Sequence, residues 1–477
     1  MPTRQARPAR AGRTRRTAIR TVVWLLLVSL LLLAAALWWV VRSSGRSPAE
    51  VLDYVDRRLA GHPRIEALAA APLALTRAAL DAPKAEARLA TPFVVPPPPP
   101  RRGPQEVPAA APAGSSATVW RVGPAGPLLR VADAARLAGD GDVVEIEAGD
   151  YRGDVAVWPQ SRLTIRGVNG AARLHADGQS AEGKAIWVIR RGEFDISNID
   201  FIGAKVGDGN GAGIRFEGGR LRVSHCLFWG NQMGLLTSGG AEAADARLEI
   251  ESSEFAYSHV DGRWGHNLYV GAIAEVRVTS SYFHHAGRGH LIKSRARRSV
   301  VTYNRLTDES GGRASYELDF PNGGVVRVLG NIVQQQPETD NSTLIAYGEE
   351  GYQWPENRLE VVSNTLVNDL RRGGTFIFAA PGATAVVSAN NLLVGPGLQR
   401  AGDRFVAWND VRAEWEDLER PARQDYRLKA QDPRFAFSEP PMLAADARPV
   451  ASYRHPRGLQ ARAGPPDAVG ALPPMPR

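Results

Sequence analysis

One cysteine, Cys226, stands in a chain of 477 residues. An intrachain disulfide is therefore excluded, and a cysteine-ligated metal centre has too few thiolates to form. In a turn between apolar segments, Cys226 reads as a small packing residue. Acid is missing from the first twenty residues, which hold Arg4, Arg7, Arg10, Arg13, Arg15, Arg16 and Arg20. With those seven set aside, the formal charge of +8 falls to +1. The basic balance therefore concerns membrane topology, and a nucleic-acid partner is not implied. Helical periodicity is lacking from about residue 162 to 397, which excludes a helical bundle there.

What fills that stretch is a repeat. Residues 265–331 hold three similar units, each with a short alternating segment (HNLYV, HLIKS, SYELD) and a second apolar segment (AEVRV, RSVVT, GVVRV). Each unit closes on a turn ending in Ser or Asn before a large apolar residue. That residue recurs at Phe201, Phe228, Phe255, Phe283, Leu306, Val333, Leu366 and Leu393, most often 27 apart. A polar turn residue precedes it at Asn198, His225, Ser252, Ser280, Asn304, Asn331, Asn364 and Asn391. Short strands at that period, with no helix between them, mean stacked coils. The predicted fold is all-β: a single-stranded right-handed parallel β-helix (solenoid), preceded by an N-terminal transmembrane helix and a Pro-rich linker. Coils stack at about 4.8 Å, so outward side chains one coil apart stand side by side.

In chain order, residues 1–20 form a basic cytoplasmic tail. Residues 21–41 carry no charge and are long enough to cross a bilayer at about 1.5 Å per residue. Trp24, Trp38 and Trp39 mark the interfaces, and the Arg-rich flank stays inside, which describes a single-pass signal anchor in an inner membrane with a periplasmic body. The competing reading is a cleaved signal peptide, for which Ala34-Ala35-Ala36 offers small residues. Residues 42–90 read as short helical segments, the first opened by the capping-box spacing of Ser47 and Glu50. Residues 91–116 form a Pro/Ala-rich linker, unbroken proline from Pro96 to Pro100, that should hold the body off the membrane as an extended spacer. The β-helix occupies 117–397, its open end covered by a short helical segment, and 398–477 form a C-terminal cap and tail.

From the GDVVEIEAGDY entrance to the repeated Asn-x-apolar turns, the chain resembles the pectin-lyase-like superfamily of right-handed β-helices. That scaffold carries lyases, hydrolases, epimerases and non-catalytic proteins, and calcium is implied by the resemblance alone. Ile292-Lys293-Ser294 followed by Tyr303-Asn304 is similar to the Lys-Ser…Asn stretch of the chondroitinase B and alginate lyase family, which implies a proton-abstracting role for Lys293. That family's arginine on the next coil has no counterpart in Leu318-Asp319-Phe320.

Period two sorts the central strands into inside and outside. With Leu268 and Val270 inward, Asn267 and Tyr269 face out; with Ile292 inward, Leu291 and Lys293 face out. Tyr316 and Leu318 inward turn Glu317 and Asp319 outward, and Leu344 and Ala346 inward turn Ile345 and Tyr347 outward. The result is a ladder of Tyr269, Lys293, Asp319 and Tyr347, with Glu317 beside it and His266, His290, Arg295, Asn322 and Glu349 on the rim. Proton abstraction beside a uronate carboxylate needs a base, a cation on the carboxylate and an acid for the leaving oxygen. Lys293 or Tyr269 could be the base, Arg295 or Arg288 the cation, His290 or Tyr347 the acid. Hydrolysis would pair Asp319 with Glu317 or Glu349. The bland alternative is a cross-coil ion pair between Lys293 and Asp319.

His284-His285 resembles a metal pair only superficially, since adjacent strand residues diverge. The asparagines 304, 331, 364 and 391 read as a structural ladder. GRGHLIKS suggests polygalacturonase signatures, but the Asn-Thr-Asp and Asp-Asp elements are absent. The expected partner is an acidic polysaccharide, modified by lyase- or epimerase-type proton abstraction; a non-catalytic carbohydrate-binding or envelope scaffold protein is the alternative.

Overall fold

The computed structural model describes residues 63–79, 92–103 and most of 117–474, with Leu52 and Val55. The expected membrane span at 21–41 lies outside the described residues, and among these no helix is long and apolar enough to cross a membrane. The chain divides into two units, Met1–Lys84 and Ala85–Arg477. In the first, the described element is the helix Pro63–Ala79, which tolerates Pro72 in its interior; Thr76 Oγ1 donates to Pro72 O at 2.9 Å.

The second unit is a right-handed parallel β-helix of about ten turns, as its repeat predicts. Each coil contributes one strand to each of three faces. The first face runs from Val119–Val122 to Phe405–Trp408; the second runs from the far half of Val143–Arg152, through the far half of Arg162–His175 and then Ile199–Ile202, to Val411–Ala413, the two long strands bending across both faces. The third is a ten-stranded sheet from Ala156–Trp158 to Leu398–Arg400. The winding thus continues beyond residue 397 before the tail begins.

The repeat predicts the register. Phe201, Phe228, Phe255, Phe283, Leu306, Val333, Leu366 and Leu393 are successive partners on the second face. Their rings stack inside the coil, with centroids 5.0, 4.3 and 4.7 Å apart from Phe201 to Phe283. Parallel strands cannot share a hairpin, so the turns must satisfy one another. Asn304, Asn331 and Asn364 each donate a backbone N–H at 2.8 Å to the side-chain oxygen of the next asparagine, and Asn391 closes the row on Asp410 Oδ1 at 2.9 Å. Earlier coils continue this row through Ser281, Ser253 and Cys226. His225, Ser252 and Ser280 stand one position earlier, in left-handed conformation (φ 56°, 47° and 47°), the place that Tyr303, Gly330, Ser363 and Asn390 hold before the ladder asparagines, so the recurring polar residue marks two adjacent places of one turn. Burial in that row pushes the Cys226 thiol up to about 12, which leaves it an inert packing group.

At the N-terminal end, the helix Val131–Leu137 buries Val131, Ala134 and Ala135 over the first coil. Asp154 accepts its Val131 and Ala132 N–H groups at 2.6 and 3.0 Å, and Gln160 Nε2 donates to Ala135 O and Ala138 O at 2.9 Å each.

The faces differ in what they meet. On the first, arginines and acids one coil apart neutralise each other, as in Arg220–Glu249 at 3.1 Å, Arg222–Glu251 at 3.0 Å and Arg327–Glu360 at 2.8 Å. The second is overlaid twice. Residues 92–103 do not stand off as a free spacer; they lie along this face as a strap. Trp229 Nε1 donates to Pro96 O at 2.9 Å, Arg173 Nη2 donates to Pro99 O at 2.8 Å, and Arg102 pairs with the buried Asp200. An extended proline segment has free carbonyls at little entropic cost, which is why it docks well beside such donors. Farther along, the tail covers the same face with Tyr426, Leu428, Phe435, Tyr453 and Val469 packed on Ile332, Val367 and Leu392.

Candidate functional site

The third face carries an outward row whose partners, coil by coil, are Val157, Val188, Arg215, Leu236, Tyr269, Lys293, Asp319, Ala346, Phe378 and Arg400. Tyr269, Lys293 and Asp319 are therefore neighbours as period two predicts. Tyr347 is not the fourth member: it pairs with Phe320, is fully buried, and its hydroxyl donates to Gly324 O at 2.7 Å. The inside/outside assignment slipped by one on the strand Thr343–Tyr347, where Ile345 pairs with the inward Leu318 and itself belongs to the core.

Two further expected site residues point the wrong way. Asn267 is fully buried, with Nδ2 donating to Phe255 O and His284 O at 3.1 and 2.9 Å and Oδ1 accepting from Ser258 N at 3.3 Å, so it braces a turn. Glu317 is also fully buried, its oxygens without a hydrogen-bond partner on another residue, beside the core residues Leu291 and Leu318. Burial, with Asp308 nearby, pushes this carboxyl well above its ordinary range. It is a neutral interior acid and cannot serve as one of two carboxylates across a sugar. Strict alternation fails within these short strands, where consecutive residues can both be enclosed: Leu291 and Ile292, inside the strand His290–Ser294, are both core residues.

The remaining residues converge. Lys293 Nζ lies 3.1 Å from Asp319 Oδ2 and 3.0 Å from Glu350 Oε1. Arg295 holds the same Glu350 carboxylate with two nitrogens, Nη1 to Oε2 at 2.8 Å and Nη2 to Oε1 at 3.0 Å. Its Nε donates to the Tyr269 hydroxyl at 3.0 Å, and Nη1 also donates to Asn322 Oδ1 at 2.6 Å. His290 Nδ1 stands 3.3 Å from Asp319 Oδ2, and its backbone N–H donates to His266 Nδ1 at 3.0 Å. Tyr316 donates its hydroxyl to Glu349 Oε2 at 2.5 Å on the rim. Glu350 is the residue that period two could not find, because it sits in the turn after a strand; the signal was the acid pair in Gly348-Glu349-Glu350-Gly351.

Electrostatics assign the protons. Burial pushes Asp319 up to about 6, Lys293 opposing it. Burial pulls Lys293 down, but Asp319 and Glu350 more than offset that, and it stays an ammonium. Glu350 resists its partial burial because Arg295 and Lys293 hold it ionised. Burial, with Lys293 and Arg295 adding to it, drops His266 to about 3 and His290 well below its ordinary value, so both imidazoles are neutral. Lys293, the expected base, is thus a fixed cation here, while Asp319 is the group poised near neutrality.

A divalent cation does not fit this chemistry. Its carboxylates already bond Lys293 and Arg295, and among the described residues no cluster of three His, Cys, Asp or Glu could hold a metal. His284 and His285 face each other through Nδ1 atoms 2.6 Å apart.

No protein-family model matches the chain, and no curated protein matches it. Among solved structures, the pectate lyase Pel9A is similar with a TM-score of 0.47 and 12% identity, over 76% of this chain and 98% of its own. A Geobacillus virus E2 protein, ORF18, has a TM-score of 0.35 and 12% identity over 58% and 53% of the two chains. The Dettilon tailspike protein has a TM-score of 0.23 and 12% identity over 56% and 62%. Similarity at this level concerns the winding of the backbone and gives no residue a role.

Proposed function

We propose that the third face binds an acidic polysaccharide and that the cluster around Lys293 removes a proton next to a uronate carboxylate, as a lyase or epimerase would. The observation that carries this reading is the convergence of the Lys293 ammonium and the Arg295 guanidinium on a single carboxylate at a half-open rim. Such a fork, with a second cation beside it, is the geometry that recognises carboxylates and neutralises the charge that builds when the neighbouring carbon loses its proton. Asp319, at about 6, has the pKa of a group that accepts a proton near neutral pH. Tyr269 accepts from Arg295 and keeps its own O–H to give to the leaving oxygen. In the lyase case the C–H and C–O bonds break and an unsaturated uronate forms; in the epimerase case a proton returns to the opposite side.

The second reading, a non-catalytic glycan-binding or envelope scaffold protein, draws on the same face and is favoured by how completely the cations are satisfied internally. Incubating the protein and its Lys293→Ala variant with a panel of uronate polymers, with products read by mass spectrometry, separates the two. Unsaturated or epimerised products from the parent alone support the enzyme. Persistent binding without products supports the scaffold.

The uncharged stretch at 21–41, with the arginine-rich flank before it, supports placing this face in the periplasm on a single-pass inner-membrane anchor. Fractionation tests this: the full chain should stay with membranes through alkaline carbonate washing, and its appearance in the wash would remove the anchor.

A further inference from the structure

Glu350 belongs to a turn whose backbone is fixed on both sides of it. Its N–H donates to Pro321 O at 3.0 Å, Gly351 N–H to Gly348 O at 3.0 Å and Gln353 N–H to Asn322 O at 3.0 Å. Trp354 Nε1 donates to Arg295 O at 3.2 Å, and the Tyr352 hydroxyl donates to Ala380 O at 2.7 Å. Gly348 and Gly351 take φ of 77° and 91°, which lets the two-acid tip fold back; at Gly348 an added Cβ would meet the Tyr352 ring at 2.4 Å. The turn is rigid, but the Glu350 side chain is 48% exposed even while three N–H donors hold it. Structural ion pairs of this fold look different: Asp200, held by Arg102 and Arg173, is completely enclosed, and in the half-open pair Arg222–Glu251 the arginine is as exposed as its acid, whereas here the two cations are the covered partners and the carboxylate the open one.

The carboxylate of Glu350 is therefore a ligand-like group in a preformed cationic seat, and only a side-chain rotation separates it from water. We propose that the seat made by Lys293 Nζ and the Arg295 guanidinium is the uronate-carboxylate subsite of the third face, and that Glu350 fills it until a ligand carboxylate takes its place. This rests on the glycan-binding reading above and adds to it a built-in competitor. The internal carboxylate is present at high effective concentration, so a ligand must displace it, and neutral sugars or weakly charged chains gain nothing from doing so. The seat then acts as a filter for closely spaced carboxylates. It also keeps the Arg295 guanidinium from standing without a carboxylate on an empty face, while Lys293 retains Asp319.

The test is calorimetric titration of the full chain with oligogalacturonate, oligomannuronate and, as a neutral control, maltohexaose. The proposal expects Glu350→Gln to bind a uronate oligomer about fivefold or more tightly than the parent, since it removes the competitor and keeps the shape of the side chain. Arg295→Ala should lose that binding, and Glu349→Gln, the same charge change one residue away, should not show the gain. Maltohexaose affinity should be unmoved in all. If the parent binds a uronate oligomer and Glu350→Gln binds it equally or more weakly, Glu350 is not a competitor and the proposal is overturned while the glycan-binding reading stands. If neither protein binds any uronate oligomer, both fall together.

Discussion

Lys293 Nζ lies 3.1 Å from Asp319 Oδ2, register partners on adjacent coils whose side chains are only 11% and 4% exposed. An ion pair so far out of water is held by its mutual compensation, and removing one partner strands the other. Lys293→Met should lower stability by about 3 kcal/mol, with Glu350 left partly solvated. The double variant Lys293→Met/Asp319→Leu should recover most of that loss. Thermal unfolding of the four proteins gives the coupling directly; a double variant as unstable as the sum of the singles would show that the pair is merely adjacent.

The pH dependence follows from Asp319. Its folded-state pKa of about 6 lies above the ordinary carboxylate value. A group shifted upward stabilises the fold at low pH and loses that contribution as pH rises through the folded value. At the site the sign is the same: protonation removes a negative charge beside Lys293 while the ligand's carboxylates, of ordinary pKa near ~3.5, remain ionised. Affinity for an oligouronate should therefore rise as pH falls from 7.5 to 5.5, and Asp319→Asn should flatten that profile. A profile unchanged in Asp319→Asn would assign the titration to another group.

The fold was legible because a solenoid repeats its own instructions. The apolar residue from Phe201 to Leu393 marks every coil, and the register follows that mark step by step. Of the site, the ladder from Tyr269 through Lys293 to Asp319 follows from period two. Three residues depart from it for different reasons. Asn267 lies just before its strand and braces a turn, Glu317 stands beside Leu318 where two consecutive residues are both enclosed, and Tyr347 keeps the alternation with the opposite phase, in step with the inward Ile345. For Glu350 the sequence offers only an acid pair between glycines, since its place depends on a turn folding back over the previous coil. The strap at 92–103 was hidden for a different reason. Proline-rich sequence encodes extension but not whether a partner surface exists, and here the partners are Trp229, Arg173 and Asp200, far along the chain.

Trp264 offers a test of where a sugar ring would rest. It is 57% exposed in the turn leading to Leu268–Val270 on the third face, and every other aromatic side chain among the described residues is more covered. Arg288 lies 5.9 Å over its ring. Aromatic faces and the cations over them are worth on the order of 1 kcal/mol each to a stacked ligand. Trp264→Ala should thus weaken oligosaccharide binding about tenfold, with the melting temperature unchanged because little packing is lost. Equal affinity in parent and variant would place the polymer away from this edge.

Asn331 tests the scaffold on which all of this stands. Its Oδ1 accepts from Asn304 N and Nδ2 at 2.8 and 3.0 Å, and its Nδ2 donates to Val301 O and Asn364 Oδ1 at 2.9 and 3.0 Å. It is completely buried, so water cannot replace those partners. Asn331→Ala would leave the Asn304 backbone N–H and the Val301 carbonyl unmatched in the turn row, and each unmade buried bond costs about 1 to 3 kcal/mol. The expected loss is about 3 kcal/mol, larger than for the exposed Trp264→Ala. Because coils stabilise their neighbours in sequence, hydrogen exchange should speed first in the coils on either side of residue 331 and last near Val143–Arg152. Uniform acceleration along the whole stack would mean that the turn row acts as one cooperative unit rather than as a series of links.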